Sequence, residues 1–590
     1  MIRRPPRSTH CISSAASDVY KRQITNLLFI LGSLGVFLFG MKILSQGIQQ
    51  AAGDKMRKIM ATMTHNRLLG IGTGFLTTCI LQSSSATTVI VVSFVSAGLL
   101  TLIEAIAVIM GANLGTTVTA WIIAFVGKFS LASIALPIVG IGTPLIFIGK
   151  GKWKSFGEIL IGFGLLFFGL GLLKDSVPNV KELLQSTDPE IVANTKYWES
   201  LIKDWAGNGY ISILFFLIGG IVLTVLVQSS SAAMAITITL ALNGWIGFEE
   251  SCAIVLGENI GTTITAYLAS IGANVEAKRA ARAHLVFNVL GVLWMLITFY
   301  GFTDLVQWIG DSLPDDFKTD KHNIEGDALG VAFNLAIFHT LFNLINICLL
   351  FAFVPLIAKI VTKWVREDTS NDQQLTYLSQ PIFENGEVNM PVAEKALSQL
   401  ADYTIKIFEN YKDISKADQN NYSTLLIKSG EIESQIDLLT KQINDHLTKL
   451  TTTSLNQESA TKVINIIRVS SELEEASDAA YQLIKLSPIG HDHSYDLDEF
   501  LQTRLNQIIS LTEKSLNLTK TNLLGPIEKN LVNNATKYRN TIASIIIEID
   551  QYLLKEEKEK DFQNYYPLIC LLYTSDAADD MQCVDLGGRR

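Results

Sequence analysis

Long apolar runs follow one another over roughly the first two thirds of the chain, with short polar segments between them. Many of these runs approach the roughly 20 residues that a helix needs to cross a bilayer. Examples occupy residues 24–44, 129–149, 156–173, 284–302 and 334–361. From about Arg366 onward the chain is polar, has helical periodicity and contains little glycine. The pattern predicts a transmembrane domain over 24–365 and a soluble helical domain after it.

The soluble part is expected to begin after a linker at 366–389 and to form a helical bundle over 390–569. Amphipathic helices are predicted at 430–450 and 470–486, because apolar residues recur there with a helical period. The segment GHDHSYDLDE at 490–499 is interpreted as a connecting loop, with His491 and His493 exposed. The expected fold class is therefore all-α, a polytopic membrane protein followed by a soluble helical bundle.

Both ends of the chain resemble translated DNA from a sequencing-library adapter. One coding solution for Met1–Thr9 has a reverse complement that encodes VDLGGRR, which is the sequence of residues 584–590. SSAASDVYKRQ near the start and CLLYTSDAADD near the end are related in the same way. We therefore interpret residues 1–23 and 570–590 as an assembly artefact and exclude them from the argument about the fold.

Charge and cysteine usage narrow the classes of protein. The chain has 47 Lys and Arg against 56 Asp and Glu, and the helical domain shows no basic stripe, so nucleic-acid binding is not expected. Outside the two ends the cysteines are Cys79, Cys252 and Cys348, each alone in an apolar stretch and expected to be buried. Their spacing matches neither a disulfide framework nor a metal site.

An internal repeat is the strongest signal in the sequence. The 48 residues from Gly74 align without a gap with those from Gly220, at a constant offset of 146. Both copies contain QSSS, at 82–85 and 228–231, and then GANLGTT or GENIGTT. A preceding helix repeats more weakly, with GVFLFG at 35–40 against GLLFFG at 164–169. We assign repeat one to about 24–127 and repeat two to about 155–277.

The charge pattern gives the two copies opposite orientations. Basic clusters fall at 55–58, 150–154 and 278–282 and near Lys363, and the positive-inside rule makes these segments cytoplasmic. The acidic loops at 175–208 and 310–330 are then external. The first copy of the motif region enters from the inside near Arg67 and leaves outside near Gly127. The second enters from the outside near Gly209 and leaves inside near Ala277, so the copies are inverted. Inverted repeats with interrupted apolar segments are typical of secondary transporters whose substrate site lies between the repeats.

The segment before the first QSSS, Leu68–Leu81, is too short to cross the membrane comfortably, so a re-entrant hairpin that turns at QSSS is predicted in each copy. Irregular backbone at that depth is tolerated where it is buried in protein or lines a wet cavity. Free N–H groups at a helix start and serine hydroxyls can surround an anion, and Gln and Thr oxygens can ligate a cation. The alternative is that these polar residues only join helices by hydrogen bonds.

Three further features accompany the repeats. Glu258 stands where repeat one has Ala112, and a carboxylate in a membrane segment is a functional candidate. It could set the cation stoichiometry, carry a proton, or lie at a wet helix end. Glu104 and Glu250 lie nearer segment ends and are interpreted as interfacial. His and Asn recur four apart in HLVFN (284–288) and HTLFN (339–343), where they could link helices or take part in proton transfer.

The paired QSSS motifs, each followed by G-[AE]-N-[LI]-G-T-T, resemble the type II sodium/phosphate cotransporters. The stretch at 37–58 is similar to the bacterial branch of that family, which carries a C-terminal PhoU-like domain; its sequence is FLFGMKILSQGIQQAAGDKMRK. The resemblance implies sodium-coupled symport of inorganic phosphate by alternating access, in the bacterial cytoplasmic membrane. It also implies that 390–569 is a cytoplasmic PhoU-like regulatory domain.

Carried onto this sequence, the resemblance implies two sets of site residues. The phosphate set comprises Ser83, Ser84, Ser85, Ser229, Ser230, Ser231, Asn113 and Asn259. The sodium set comprises Gln82, Gln228, Thr116, Thr117, Thr262 and Thr263, with Glu258 as a coupling residue. In the PhoU-like domain, two pairs of acidic residues each lie on one helix face: Glu433 with Asp437, and Glu474 with Asp478. These pairs form either a metal site or a solvated surface.

Three functional classes remain after these observations. The first is sodium-coupled phosphate transport, whose partners are phosphate, sodium and the lipid bilayer. A second copy of the chain in a homodimer, or a phosphate-signalling protein, is a further candidate partner. The second keeps the fold and moves sulfate, arsenate or a small carboxylate. The third is a membrane phosphate sensor. An enzyme is not expected, because QSSSA lacks the G-x-S-x-G elbow and neither repeat offers a His or Asp to activate a serine.

Overall fold

The fold is described from a computed structural model of the chain. The described residues are 8–52, 66–128, 132–271, 273–312, 324–366, 386–414, 419–452, 455, 457–486, 499–523 and 529–556. Every element among them is helical, which confirms the predicted all-α class. The chain divides into two compact units, Met1–Pro381 and Ile382–Arg590.

Fifteen α-helices are described in the first unit, with a 3-10 turn at Phe351–Phe353 before the last. They are α1 (Ser8–Ala52), α2 (Arg67–Leu81), α3 (Ser84–Ser96), α4 (Leu102–Lys128), α5 (Ala132–Ile148), α6 (Lys152–Ser176), α7 (Val180–Leu184), α8 (Pro189–Trp205), α9 (Tyr210–Val227), α10 (Ser230–Leu242), α11 (Phe248–Gly261), α12 (Thr263–Ala269), α13 (Val275–Asp311), α14 (Ile324–Leu350) and α15 (Val354–Trp364).

Seven stretches of described residues are long and apolar enough to span a membrane. They are Thr25–Ala51, Leu102–Phe125, Lys152–Leu184, Tyr210–Val227, Phe248–Ala269, Val275–Asp311 and Gly330–Trp364. The chain is therefore a polytopic membrane protein, as the apolar pattern predicted. The run at 129–149 forms the shorter helix α5, which contains Pro137 and Pro144.

The sequence repeat is a structural repeat. Helices α2 and α9 both end at a glutamine, Gln82 or Gln228, whose φ is 50° or 55°. Among the described residues these are the only non-glycine positions with positive φ. Each is followed by a serine that caps the next 13-residue helix, α3 or α10. Helices α2, α3 and α10, with 13–15 residues, are about 20–23 Å long, less than the roughly 30 Å hydrocarbon core, whereas α9 with 18 residues is long enough to be a candidate span. The fold therefore contains the two predicted helix–turn–helix hairpins.

Glycines bring corresponding helices into close backbone contact in both repeats. A methyl group at Gly74 of α2 would fall on the carbonyl of Val108 in α4, and one at Gly220 of α9 would fall on that of Ile254 in α11. Gly111 and Gly257 show the same relationship in the opposite direction. Small residues of this kind allow close helix packing in membranes. The first arm of each hairpin is therefore tightly joined to the helix that carries GANLGTT or GENIGTT.

Two expectations about the first unit need correction. The segment 175–208 is not an open loop, since it contains α7 and α8. Of the three internal cysteines only Cys252 is fully buried, whereas Cys79 is half-buried and Cys348 is exposed. Cys348 is exposed because it lies on a face of α14 that no described helix of the chain covers.

The second unit contains five described helices: α16 (Gly386–Ile414), α17 (Gln419–Leu450), α18 (Gln457–Leu486), α19 (Glu499–Asn522) and α20 (Lys529–Glu556). α17 and α18 contain the two amphipathic segments predicted from the sequence. The predicted loop at 490–499, with His491 and His493, lies outside the described residues apart from its last position, as does 367–385 of the predicted linker.

Candidate functional site

A small cavity in the first unit gathers residues from both repeats. Its lining consists of Ser84, Asn113, Thr116, Ser230, Glu258, Asn259, Thr262 and His339. Six of these residues form three pairs at the repeat offset: Ser84 with Ser230, Asn113 with Asn259, and Thr116 with Thr262. Glu258 and His339 complete the lining. The structure thus brings four of the predicted phosphate residues together with two predicted sodium residues and the proposed coupling residue.

The three serines of each QSSS motif occupy different positions. Ser83 and Ser229 are helix caps, whose hydroxyl oxygens accept hydrogen bonds from the backbone N–H of Ala86 at 3.1 Å and of Ala232 at 3.3 Å. Ser84 and Ser230 are the first helical residues and line the cavity. The first N–H groups of a helix have no intrahelical partner, and they carry the positive end of the helix dipole. Both hairpins therefore direct a helix N-terminus toward the cavity.

Ser85 and Ser231 are not among the residues that line the cavity. Neither are Gln82, Gln228, Thr117 and Thr263, although all of them lie within the two motifs.

The two asparagines of the cavity are held differently. Asn113 Nδ2 donates to Asn288 Oδ1 at 2.8 Å, and Asn113 Oδ1 lies 3.2 Å from His284 Nε2. Asn288 also donates to the His284 carbonyl at 2.9 Å. Asn259 Nδ2 instead donates to the Val255 carbonyl of its own helix. The expectation that HLVFN links two helices is confirmed, because His284 and Asn288 on α13 together orient Asn113 on α4.

HTLFN is used in another way. Asn343 Nδ2 donates to the His339 carbonyl at 3.0 Å within α14. The His339 side chain is buried and lines the cavity. The sequence identified His339 through the HTLFN motif but did not place it at the site.

Repeat two contains a polar pair that repeat one lacks. Thr237 on α10 donates to Glu258 Oε1 on α11 at 2.7 Å, and both side chains are buried. At the matching positions repeat one has Val91 and Ala112, which are apolar. Glu258 was identified from the sequence, whereas Thr237 was missed. A comparison of the copies at the constant offset could have found it, because a polar residue replaces an apolar one at both positions.

The two glutamines at the hairpin turns also differ. Gln82 is buried; its Nε2 donates to the Cys79 carbonyl at 2.6 Å, and its Oε1 accepts from Thr119 at 3.3 Å. Ser45 of α1 donates to the adjacent Leu81 carbonyl at 2.7 Å. Gln228 is exposed. The turn of hairpin one is thus fixed by hydrogen bonds to α1 and α4, contacts that the sequence pattern did not predict.

The four motif threonines share one hydrogen-bonding mode. Thr116 and Thr262 donate to the carbonyls four residues earlier, at 3.2 and 2.7 Å. Thr117 and Thr263 donate to carbonyls three residues earlier, both at 2.7 Å. A hydroxyl that donates its proton to the backbone keeps lone pairs that can accept a hydrogen bond or ligate a cation. Of the four, only Thr116 and Thr262 offer such oxygens to the cavity.

An acidic cluster lies between α17 and α18 in the second unit. Carboxylate oxygens of Glu433, Asp437 and Asp478 lie within 4.8 Å of one another. Burial, followed by the nearby Asp437 and Asp478 charges, raises the pKa of Glu433, and burial followed by Asp437 raises that of Asp478. Glu474, the fourth predicted residue, is not part of the three-residue group, but burial and the Asp478 charge raise its pKa as well. Three closely spaced carboxylates match the oxygen ligands of a hard cation.

The fold and this cavity define a polytopic membrane protein with two copies of a polar hairpin that meet at one site. The chain belongs to the Na+/Pi-cotransporter family, whose model matches residues 36–175 and 193–310. The matched segments contain both hairpins and most of the cavity lining. The family consists of transport proteins rather than enzymes, so the class of protein predicted from the sequence is confirmed.

Several known proteins are similar to this chain. The uncharacterized protein YqeW of Bacillus subtilis is 32% identical over 287 residues, which cover 48% of this chain and 86% of that protein. A protein of Salmonella typhimurium, provisionally named inorganic phosphate export protein YjbB, is 24% identical over 456 residues, 77% of this chain and 76% of that protein. Human sodium-dependent phosphate transport protein 2B is 43% identical over 103 residues, 17% of this chain and 15% of that protein. No solved structure matches the chain.

Proposed function

We propose that this protein is a secondary transporter that couples the movement of inorganic phosphate to sodium across the bacterial cytoplasmic membrane. The proposal rests on one observation, which is that three matched pairs of residues line one cavity. The pairs are Ser84 with Ser230, Asn113 with Asn259, and Thr116 with Thr262. Membership of the Na+/Pi-cotransporter family supports the same solute and the same coupling ion.

Phosphate is held at the two helix starts. The hydroxyls of Ser84 and Ser230 and the N-terminal N–H groups of α3 and α10 supply donors from opposite repeats, and Asn113 and Asn259 supply amide groups. Helix N-termini bind phosphate through free N–H groups and the helix dipole. None of the described residues that line the cavity is Lys or Arg, and neutral donors allow the anion to leave again during each transport cycle.

Sodium is ligated by other oxygens of the same cavity. Thr116 and Thr262 offer hydroxyl oxygens whose protons are already donated to the backbone. Glu258 adds a carboxylate, the one found among the described lining residues. An anion beside a buried carboxylate is strongly unfavourable unless a cation lies between them. Glu258 therefore makes phosphate occupancy dependent on the cation, which is the physical basis of coupling.

Alternating access follows from the repeat architecture. The two hairpins carry the site, and the charge pattern assigns them opposite orientations in the membrane. Exchange of the two repeat conformations would open the cavity first to one side and then to the other. Gradients set the net direction in such a transporter. YjbB is named for phosphate export and the human relative for sodium-dependent phosphate transport. One mechanism is compatible with both names.

The second unit is proposed to be a cytoplasmic, PhoU-like regulatory domain that acts on the transporter, alone, as a homodimer or with a phosphate-signalling partner. The YjbB match supports a shared two-part organisation, because its 456 residues exceed the length of the first unit and must continue into the second. The Glu433, Asp437 and Asp478 cluster is the proposed metal site of this domain.

Labelled-phosphate flux in proteoliposomes tests the function. We expect accumulation that requires an inward sodium gradient and is lost in Ser84→Ala and Ser230→Ala. Flux of sulfate or a carboxylate in place of phosphate would leave the fold assignment intact and change the solute. Correctly inserted protein that binds phosphate without moving it would indicate a sensor and refute the transporter proposal.

A further inference from the structure

Helix α8 presents three different surfaces along its length. Its inner surface contacts the membrane unit: Thr195 is buried, and Ile202 packs against the hydrophobic core that includes Phe216. A second surface is charged and exposed and includes Lys196, Lys203 and Asp204. The third surface is apolar and exposed, although α8 lies outside the seven candidate spans.

The third surface is formed by Tyr197, Trp198, Leu201 and Trp205, whose side chains are 60%, 55%, 38% and 45% exposed. With about 100° of turn per residue, these four positions fall within one stripe about 100° wide, between the buried surface and the charged surface. Tyr197 and Trp198 pack edge to face, with ring centroids 5.6 Å apart. The stripe is therefore a continuous aromatic surface rather than a set of scattered apolar residues.

The stripe continues into an exposed apolar surface of α9. Trp205 stacks on Phe215 of α9, with ring centroids 4.6 Å apart and ring planes 16° apart. Phe215 belongs to a row of exposed apolar residues along that candidate membrane span: Ile211, Phe215, Ile218, Val222 and Leu226. Spacings of three and four residues place this row on one helix face. The Trp205–Phe215 stack lies near Tyr210, the first residue of that candidate span.

We propose that α8 is an interfacial helix whose surface of Tyr197, Trp198, Leu201 and Trp205 lies against the lipid bilayer, while its charged surface faces water. Tyr and Trp are enriched at the headgroup level of membranes, because one end of the ring system is apolar and the other can form hydrogen bonds. A helix with an apolar surface and a charged surface lies in the membrane plane. The charge pattern places this contact on the external leaflet.

This position has a structural consequence for hairpin two. Five residues after Trp205, the chain begins α9, which is the first arm of that hairpin and is tightly joined to α11. An α8 helix held in the headgroup layer fixes the depth at which α9 begins. It therefore fixes the depth of the turn at Gln228 and of Ser230 in the cavity.

Site-specific photocrosslinking in membranes tests the proposal. The full chain is reconstituted in vesicles of phosphatidylethanolamine and phosphatidylglycerol, with p-benzoylphenylalanine replacing Trp198 or, in a second protein, Leu201. The matched control carries the same residue in place of Lys196, which is exposed on the charged surface of α8. Replacement of Ile218 on α9 provides the reference for lipid contact. Intact mass spectrometry measures the lipid adduct, and gel electrophoresis measures crosslinked dimers.

We expect position 198 or 201 to give a lipid adduct at a yield comparable to position 218 and several-fold above position 196. The proposal is overturned if position 218 reacts with lipid while 198 and 201 react no more than 196. It is also overturned if 198 and 201 give protein dimers instead of lipid adducts, since the stripe would then contact a second copy of the chain. Neither result depends on which solute the protein transports.

Discussion

Ser84 and Ser230, which are 146 positions apart in the sequence, are each the first residue of a 13-residue helix and line the same cavity. The serine before each of them caps the helix, and the glutamine before that adopts a left-handed backbone conformation. The opening residues of the two QSSS motifs therefore have separate tasks, which are to turn the chain, cap the helix and face the cavity.

The capping serines should affect stability more than phosphate binding. In Ser229→Ala the start of α10 loses its capping oxygen, and a lost N-cap costs about 1 kcal/mol of stability. We expect a lower thermal unfolding temperature in detergent, with phosphate affinity reduced less than in Ser230→Ala. Thermal unfolding and phosphate binding on the same preparations separate the two effects. If Ser229→Ala abolished binding as completely as Ser230→Ala, Ser229 would be a ligand.

His284 should act through Asn113 rather than directly on phosphate. His284→Ala removes one of the two contacts that orient the Asn113 amide. A hydrogen bond of this kind contributes about 1 kcal/mol, so the KM for phosphate should rise about fivefold. In a double-mutant cycle, adding His284→Ala to Asn113→Ala should then have little further effect. Fully additive losses would show that His284 acts independently of Asn113.

Glu258 should control the dependence of transport on sodium. Glu258→Gln keeps the size of the side chain and an oxygen for the Thr237 hydroxyl but removes the charge. We expect the sodium dependence of phosphate flux to become shallower or to disappear. Glu250→Gln, on the same helix and in its first turn, is the matched control and should behave like the wild type. An unchanged sodium dependence in Glu258→Gln would contradict the coupling role.

The acidic cluster of the second unit should be sensitive to pH and to divalent cations. Burial and mutual repulsion raise the pKa of Glu433, Glu474 and Asp478 in the folded protein. The folded state therefore binds protons more tightly than the unfolded state. The stability gained from protonation is fully present below the ordinary carboxyl pKa of about 4 and is lost as pH rises through the raised values.

Hydrogen exchange of peptides from α17 and α18 in the full chain measures this effect. Exchange should accelerate as pH rises through that window, after correction for the intrinsic pH dependence of exchange. At neutral pH a divalent cation should slow it, because an ion that binds only the folded state stabilises that state. Asp437→Asn should weaken both effects, and Asp445→Asn, two turns later on α17, should weaken neither. If added cations did not change exchange in the wild type, the metal site would be refuted.

Much of the fold and part of the candidate site could be predicted from the sequence. The constant offset identified Ser84, Asn113, Thr116 and their partners, because residue identity at matched positions survives in a repeat. The contacts between helices depend on three-dimensional packing. Examples are the bonds from His284 to Asn113 and from Ser45 to the Leu81 carbonyl, which join residues from helices far apart in the sequence. The charged composition of 175–208 indicates a loop, whereas the structure has helices at 180–184 and 189–205, because the charged residues obscure the aromatic stripe in the sequence pattern.

Phosphate binding to the purified protein is the most direct test of the central claim, that matched residues of two hairpins hold one anion. Binding of labelled phosphate in sodium buffer is compared for the wild type, Ser84→Ala, Ser230→Ala and the control Ser96→Ala, whose serine lies at the far end of α3. We predict a large loss of affinity in each of the first two variants and near wild-type binding in the control. Full binding in either Ser84→Ala or Ser230→Ala would show that the two repeats do not share the site.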